Sequence, residues 1–157
     1  MINFGKLNFM KKSFNLREVK SNDWKFLLEW RNEKTTRLNS LTPDWVTVSE
    51  HKGYIKDAIN SPNRRIFILE YNKIPVGTIR EDRLKKDQFE LSYTVSPEYR
   101  GQRFCQIMVS LYLIENKGSF LCRVNISNIA SNIAIEKLGF KIFNSENYVN
   151  FYNLDQS

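Results

Sequence analysis

Metal ligands and thiols are the scarcest chemistry in this chain. It holds one histidine, His51, and two cysteines, Cys105 and Cys122, with no CxxC pair and no histidine at ligand spacing from either. A structural zinc site is excluded by ligand count, and no metal is expected. Two thiols in 157 residues are too few for a disulfide scaffold and suit a reducing compartment. No window reaches the roughly 20 apolar residues of a membrane span. The opening MINFGKLNFMKK also lacks the uninterrupted apolar run of a signal peptide. No membrane role follows, and the cytoplasm is the expected location. Repeats, low-complexity tracts and blocks of like charge are missing too, so neither a solenoid nor a nucleic-acid-binding tail is indicated.

What is present is the composition of an ordinary folded protein, 41% hydrophobic and 26% charged. A chain of this length buries roughly 68–70% of its unfolded surface in one core. The net charge of +7 favours polyanionic partners, whether nucleic acid, phosphorylated small molecules or a membrane surface, and charge alone does not choose among them. Met10-Lys11-Lys12 resembles a natural protein start, so residues 1–12 read as a flexible leader before a single domain at 13–157.

Residues 14–19 predict a short strand, with Ser21 as N-cap of a helix SNDWKFLLEWRN whose Trp24, Leu27 and Leu28 form a buried face. Residues 33–46, polar and holding Pro43 and Trp45, read as a functional loop. Thr47-Val48-Ser49-Glu50 has capping-box spacing and opens a helix with Tyr54, Ile55, Ala58 and Ile59 on one face. Strands follow at 64–71, 74–82 and 88–96, the first apolar enough to be covered on both faces. Residues 101–117 predict a helix with Phe104, Ile107, Met108, Leu111 and Ile114 on one stripe, closing near Gly118. Its crossover to a strand at 119–125 implies a parallel pairing with 88–96. A helix at 128–138 and strands at 141–143 and 148–153 complete a mixed α/β sheet with helices on both faces.

Chemistry concentrates in ELSYTVSPEYRGQRFCQ, residues 90–106. Phe89, Leu91, Tyr93 and Val95 alternate with Glu90, Ser92 and Thr94; Pro97 then breaks the strand, and a basic turn opens into the helix. The free N–H groups and positive dipole end of a helix N-terminus suit a pyrophosphate, and Arg100 and Arg103 add charge beside them.

The order of elements and two motifs together resemble the GNAT superfamily of acyl-CoA-dependent N-acyltransferases over residues 14–144. SPEYRGQRFC stands where that family carries Q/R-x-x-G-x-G/A, and NIASNIAIEKLGF, residues 128–140, resembles its N-x-x-A/S motif with a helix ending in Gly-Phe. LLEWRN at 27–32, the SEH around His51, VGTIRED at 76–82 and ELSYTVSPEYRG are similar to acetyltransferases of nucleotide-linked amino sugars, the pseudaminic-acid type included. Ribosomal-protein N-terminal acetyltransferases share the N-x-x-S form of the last motif. The resemblance implies a GNAT-like fold, with a mostly antiparallel sheet of about seven strands between helices. It further implies acetyl-CoA as co-substrate and a small, nucleotide-linked amino sugar as acceptor, handled by a monomer or homodimer. N-terminal protein acetylation and a degenerate, non-catalytic domain are the alternatives.

An amine attacks a thioester only when unprotonated, so a base must take its proton and the leaving thiolate needs a donor. Glu90, opposite the apolar stripe, is the candidate base, with Glu81 and Asp82 as alternatives. Where the family often places a tyrosine donor, seven residues after Asn128, this chain has Ile135. The resemblance makes Ser131 the substitute donor and Asn128 a contact for the pantetheine arm, with Tyr93, Tyr99 and Cys122 in reserve. It also assigns Ser92–Val95, and so Tyr93, Thr94 and Val95, to the edge that pairs with the pantetheine amides. Arg100, Gly101, Gln102, Arg103, Phe104 and Cys105 then form the pyrophosphate turn, with Lys137 within reach of the phosphates. Arg103 and Cys105 occupy the two expected glycine positions; a helical turn would tolerate them, whereas a positive φ would not come free. For the acceptor, Arg31 and His51 are the candidates, Arg80 extends the basic lining, and Trp30 and Trp45 are candidate stacking surfaces.

Overall fold

The structure is a computed structural model that describes residues 13–157, so the expected leader at 1–12 lies outside the described residues. The chain runs β1 (Phe14–Glu18), α1 (Trp24–Asn32), α2 (Lys34–Asn39), α3 (Val48–Asn60), β2 (Arg64–Tyr71), β3 (Ile74–Lys85) and β4 (Gln88–Val95). It continues with α4 (Phe104–Glu115), β5 (Ser119–Asn125), α5 (Ile129–Lys137), β6 (Lys141–Glu146) and β7 (Val149–Asp155). The seven strands form one sheet in the order β1-β2-β3-β4-β5-β7-β6. Every neighbouring pair is antiparallel except β4–β5. This is the mixed, mostly antiparallel architecture the sequence implies.

Period-2 alternation along β2 explains its unbroken apolar run. Ile66 and Ile68 pack with Leu27, Trp30, Ile55 and Ala58 of α1 and α3, while Leu69 turns to the opposite face and joins Met108, Val109 and Tyr112 of α4. Met108 and Val109 have no exposed area, so burying each contributes about 1.5–3 kcal/mol. Asn72 and Lys73, at φ 49° and 68°, make the two-residue turn joining β2 to β3.

β4 and β5 pair only from Gln88↔Ser119 to Leu91↔Cys122. Both strands run on, β4 against β3 as far as Val95 and β5 against β7 as far as Asn125, but no longer against each other. A wedge therefore opens in the middle of the sheet, and the site is built around it.

Several local expectations change. The first helix begins at Trp24, after a 3-10 turn at Ser21–Asp23. There the buried Asp23 carboxylate, rather than Ser21, takes the Lys20 N–H at 2.7 Å and pairs with Arg17 at 2.8 Å. The expected loop at 33–46 contains α2, because the Glu33 carboxylate accepts the N–H groups of Thr35 and Thr36 and caps it. Helix α4 starts at Phe104 instead of residue 101, and Met108–Leu113 are buried all round rather than along one stripe. Ile59, expected on the inner face of its helix, is 44% exposed.

Candidate active site

Along the wedge, the β4 backbone from Ser92 to Val95 has no strand partner on its β5 side. Extended backbone without a partner offers N–H and C=O groups in the spacing that another extended amide chain needs. Tyr93 and Val95 pack toward the α4 face, and alternation puts Ser92 and Thr94 on the other. The strand then leads through Pro97–Tyr99 into the basic turn. Gly101 (φ 75°) and Arg103 (φ 63°, ψ 16°) are left-handed, so the turn is not a helical one. The left-handed state costs a residue with a side chain about 1–2 kcal/mol, which Arg103 bears. Cys105 lies inside α4 with no positive φ and makes no demand for glycine. The first helical hydrogen bond runs from the Ile107 N–H to the Arg103 carbonyl at 3.1 Å, so the N–H groups of Phe104, Cys105 and Gln106 precede it. Gln102 and Arg103 are exposed beside them. The unpartnered edge and this run of N–H groups fit an acyl-CoA's pantetheine arm and pyrophosphate.

On the α4 side of the wedge, the Tyr93 hydroxyl and Ser131 Oγ are hydrogen-bonded at 2.6 Å. Burial holds the Tyr93 phenol well above its usual range. Asn128 Oδ1 accepts the Ser131 N–H at 3.3 Å, which makes Asn128 the N-cap of α5. Asn132 fixes that helix in place: its Nδ2 donates to the Asn125 and Asn128 carbonyls, and its Oδ1 accepts from Asn150 and Tyr152. Of the reserve donors, Tyr93 stands beside Ser131 and the other two are occupied elsewhere. Cys122 is fully buried in the core, and Tyr99 is stacked on Phe104 at 5.6 Å. Burial pushes the Cys105 thiol up to about 12. Lys137 is exposed at the end of α5 remote from Ser131.

On the opposite face a cleft of about 600 Å³ is lined by Asp57, Arg64, Arg80, Asp82, Arg83, Glu90 and Arg123, among others. Glu90 Oε1 accepts from Arg123 Nε at 2.7 Å. Asp82 is held by Arg64 Nε at 2.5 Å and lies 2.8 Å from Arg80 Nε. Arg80 also donates to Tyr54 and Ser92 at 3.3 and 3.2 Å. Glu81 leaves the contest for base. It is buried on the other face, where Arg65 grips both carboxylate oxygens and the Tyr112 hydroxyl donates to one.

Arg31 and His51, both outside the lining of this cleft, are near enough for the Arg31 charge to act on the imidazole. Arg31 Nη2 donates to the Thr42 carbonyl at 2.6 Å, while Arg31 Nη1 and His51 Nε2 are buried without a partner among the described residues. Burial, aided by the Arg31 charge, lowers the His51 pKa and keeps the imidazole neutral. The His51 and Tyr54 rings stack at 6.0 Å, which links this pair to Arg80. Trp30 is core, so it is no stacking surface, whereas Trp45 is 65% exposed beneath Arg37.

A family model described as an acetyltransferase (GNAT) domain matches residues 13–141. The chain belongs to the GNAT acetyltransferases. It is accordingly an acyl-CoA-dependent N-acetyltransferase. No curated protein sequence matches it. Among solved structures, the spermidine N-acetyltransferase of Vibrio cholerae, in complex with CoA and spermine, is similar with a TM-score of 0.78 at 17% identity, over 92% of this chain and 96% of that one. The N-acetyltransferase PseH of Campylobacter jejuni gives 0.71 at 15%, over 92% and 99%. A Salmonella typhimurium acetyltransferase that modifies the N-terminal serine of a 50S ribosomal subunit protein gives 0.79 at 11%, over 94% and 98%. At these identities the likeness is one of fold.

Within this GNAT domain, the structure gathers Glu90, Arg80 and Ser92 on one face of β4 and Tyr93 with Ser131 on the other. Sequence reasoning missed Arg123 as the partner of Glu90. Alternation with the apolar Cys122 and Val124 puts Arg123 on Glu90's face, but the strand register that brings them together is not written in composition. It also missed Asn132, whose four hydrogen bonds join elements that only the fold brings together.

Proposed function

We propose that this enzyme transfers an acetyl group from acetyl-CoA to the amine of a small anionic acceptor, of the nucleotide-linked amino-sugar class. One observation carries the reading: Glu90 and Tyr93 stand on opposite faces of the same strand, beside a backbone edge with no partner. Acetyl-CoA supplies an acyl group already activated as a thioester. Ser92–Val95 hold the pantetheine amides, and the N–H groups of Phe104–Gln106 with Arg100 and Arg103 hold the phosphates. Asn128, as the cap of α5, sets Ser131 beside that edge. Glu90, oriented by Arg123, takes the proton from the attacking amine on the cleft side. Tyr93 and Ser131 present hydroxyl hydrogen to the sulfur that leaves on the other.

The acceptor class follows from charge. Four arginines, Arg64, Arg80, Arg83 and Arg123, line the cleft against three acidic residues, Asp57, Asp82 and Glu90. Asp82 and Glu90 are themselves bound by guanidinium groups. A polycation finds few free carboxylates there, whereas a phosphorylated acceptor finds donors in a fork geometry. His51, stacked on Tyr54, and Arg31 stand next to this lining rather than in it. The two free thiols are consistent with a cytoplasmic enzyme.

Two measurements test the reading. Calorimetry with acetyl-CoA is expected to show binding; none at millimolar concentration sinks the placement of the cofactor. A thiol-release assay then compares nucleotide-linked amino sugars, spermidine and N-terminal peptides. Turnover of spermidine or a peptide in preference to the sugars overturns the acceptor class.

A further inference from the structure

Arg100, the first residue of the cofactor turn, is held by the junction of α1 and α2. Its Nη2 donates to Glu33 Oε2 and to Thr36 Oγ1, both at 2.7 Å. Glu33 is also the joint between those helices. Its N–H donates to the Glu29 carbonyl at 3.0 Å, and its carboxylate accepts the N–H groups of Thr35 and Thr36 at 3.0 and 2.9 Å. The segment that follows is tied to itself. Asn32 clamps Val46 through both N–H and carbonyl, Arg31 holds the Thr42 carbonyl, and Arg37 donates to the Asn32 carbonyl and lies 5.6 Å over Trp45. Among the described residues, the stretch carrying Arg31 is hydrogen-bonded to the cofactor turn through the Arg100 guanidinium alone.

We propose that Glu33 is a positioning residue for the cofactor turn: a carboxylate that a phosphate group displaces from Arg100, so that cofactor binding loosens the acceptor-side segment. The proposal rests on reading residues 100–103 as the acyl-CoA turn. Carboxylate and phosphate compete for the same planar fork of donors, and a pair with side chains 35% and 28% exposed is weak enough to exchange. A ligand shifts an equilibrium only by contacting its two states differently. Here the contact that differs is the partner of Arg100.

Titration calorimetry with acetyl-CoA on the wild type, Glu33→Gln, Arg100→Ala and the double variant tests this. Glutamine keeps an oxygen to cap α2 and removes the charge. Glu33→Gln is expected to bind acetyl-CoA about two- to fivefold more tightly, the range an exposed ion pair permits, with no such gain when Arg100 is already alanine. Amide hydrogen exchange over residues 34–39 is expected to quicken when acetyl-CoA is added to the wild type, and to be quick from the start in Glu33→Gln. Unchanged or weaker binding by Glu33→Gln, or an equal gain without Arg100, overturns the proposal while leaving the cofactor turn standing. Failure of the wild type to bind acetyl-CoA overturns the turn itself, and the proposal with it.

Discussion

Tyr93 and Ser131 meet hydroxyl to hydroxyl at 2.6 Å, one from β4 and the other from the first turn of α5. The pair spans the wedge where β4 and β5 part, and in the proposed mechanism it stands in for the phenol that Ile135 cannot supply. Tyr93→Phe and Ser131→Ala are each expected to lower kcat by roughly 10²-fold or more, with little change in acetyl-CoA affinity. Because the two groups act as one unit, the double variant should lose little beyond either single. Stopped-flow thiol release measures this, and fully additive losses would show that the hydroxyls act independently.

Glu90→Gln is expected to reduce turnover by roughly 10²- to 10⁴-fold. Calorimetric affinity for acetyl-CoA should stay as in the wild type. Turnover left unchanged, with Asp82→Asn reducing it instead, would pass the role of base to Asp82.

The left-handed Arg103 (φ 63°) makes a prediction about stability. Arg103→Gly relieves about 1–2 kcal/mol of backbone strain and gives back about 0.5–1 kcal/mol in unfolded-chain entropy. A rise in Tm of about 2 °C is the expected balance. Cys105→Gly should move the other way, since that residue lies in the first turn of α4 and needs no positive φ. Differential scanning calorimetry separates the two.

Acid should weaken the fold through Glu33. Hydrogen bonding from Arg100 holds its carboxyl down to about 2 from an ordinary 4.5. A folded-state pKa below the unfolded one gives stability that is complete above about 4.5 and lost as pH falls toward 2. Urea midpoints across that window should fall more steeply for the wild type than for Glu33→Gln. Parallel curves would mean that the pair adds nothing to folding.

Much of this architecture was legible in the sequence because the signals are local. RRIFILEY, the capping box at Thr47 and Glu50, and the Phe89–Val95 alternation each declare their element within a few residues, and the structure contains all three. What escaped depends on chain segments far apart in sequence. Glu33 caps α2 through Thr35 and Thr36 beside it, but its ion-pair partner, Arg100, lies 67 residues on and is not legible from that segment. Glu81 and Glu90 look alike as strand glutamates. The register of β3 with β2 gives the first to Arg65, and the place of β5 beside β4 gives the second to Arg123. Trp30 is apolar enough for core or stacking, and only its burial decides.

The four-residue parallel pairing of β4 with β5 has a further consequence for how the molecule holds together. It divides the sheet into two antiparallel parts, β1–β4 and β5–β7–β6. Between them lie a short seam and the crossover helix α4. A pantetheine arm lying in the wedge would lengthen that seam, acting as a removable length of strand. The substrate that carries the acyl group would then also be a fastener, raising the protein's resistance to unfolding in step with its own concentration.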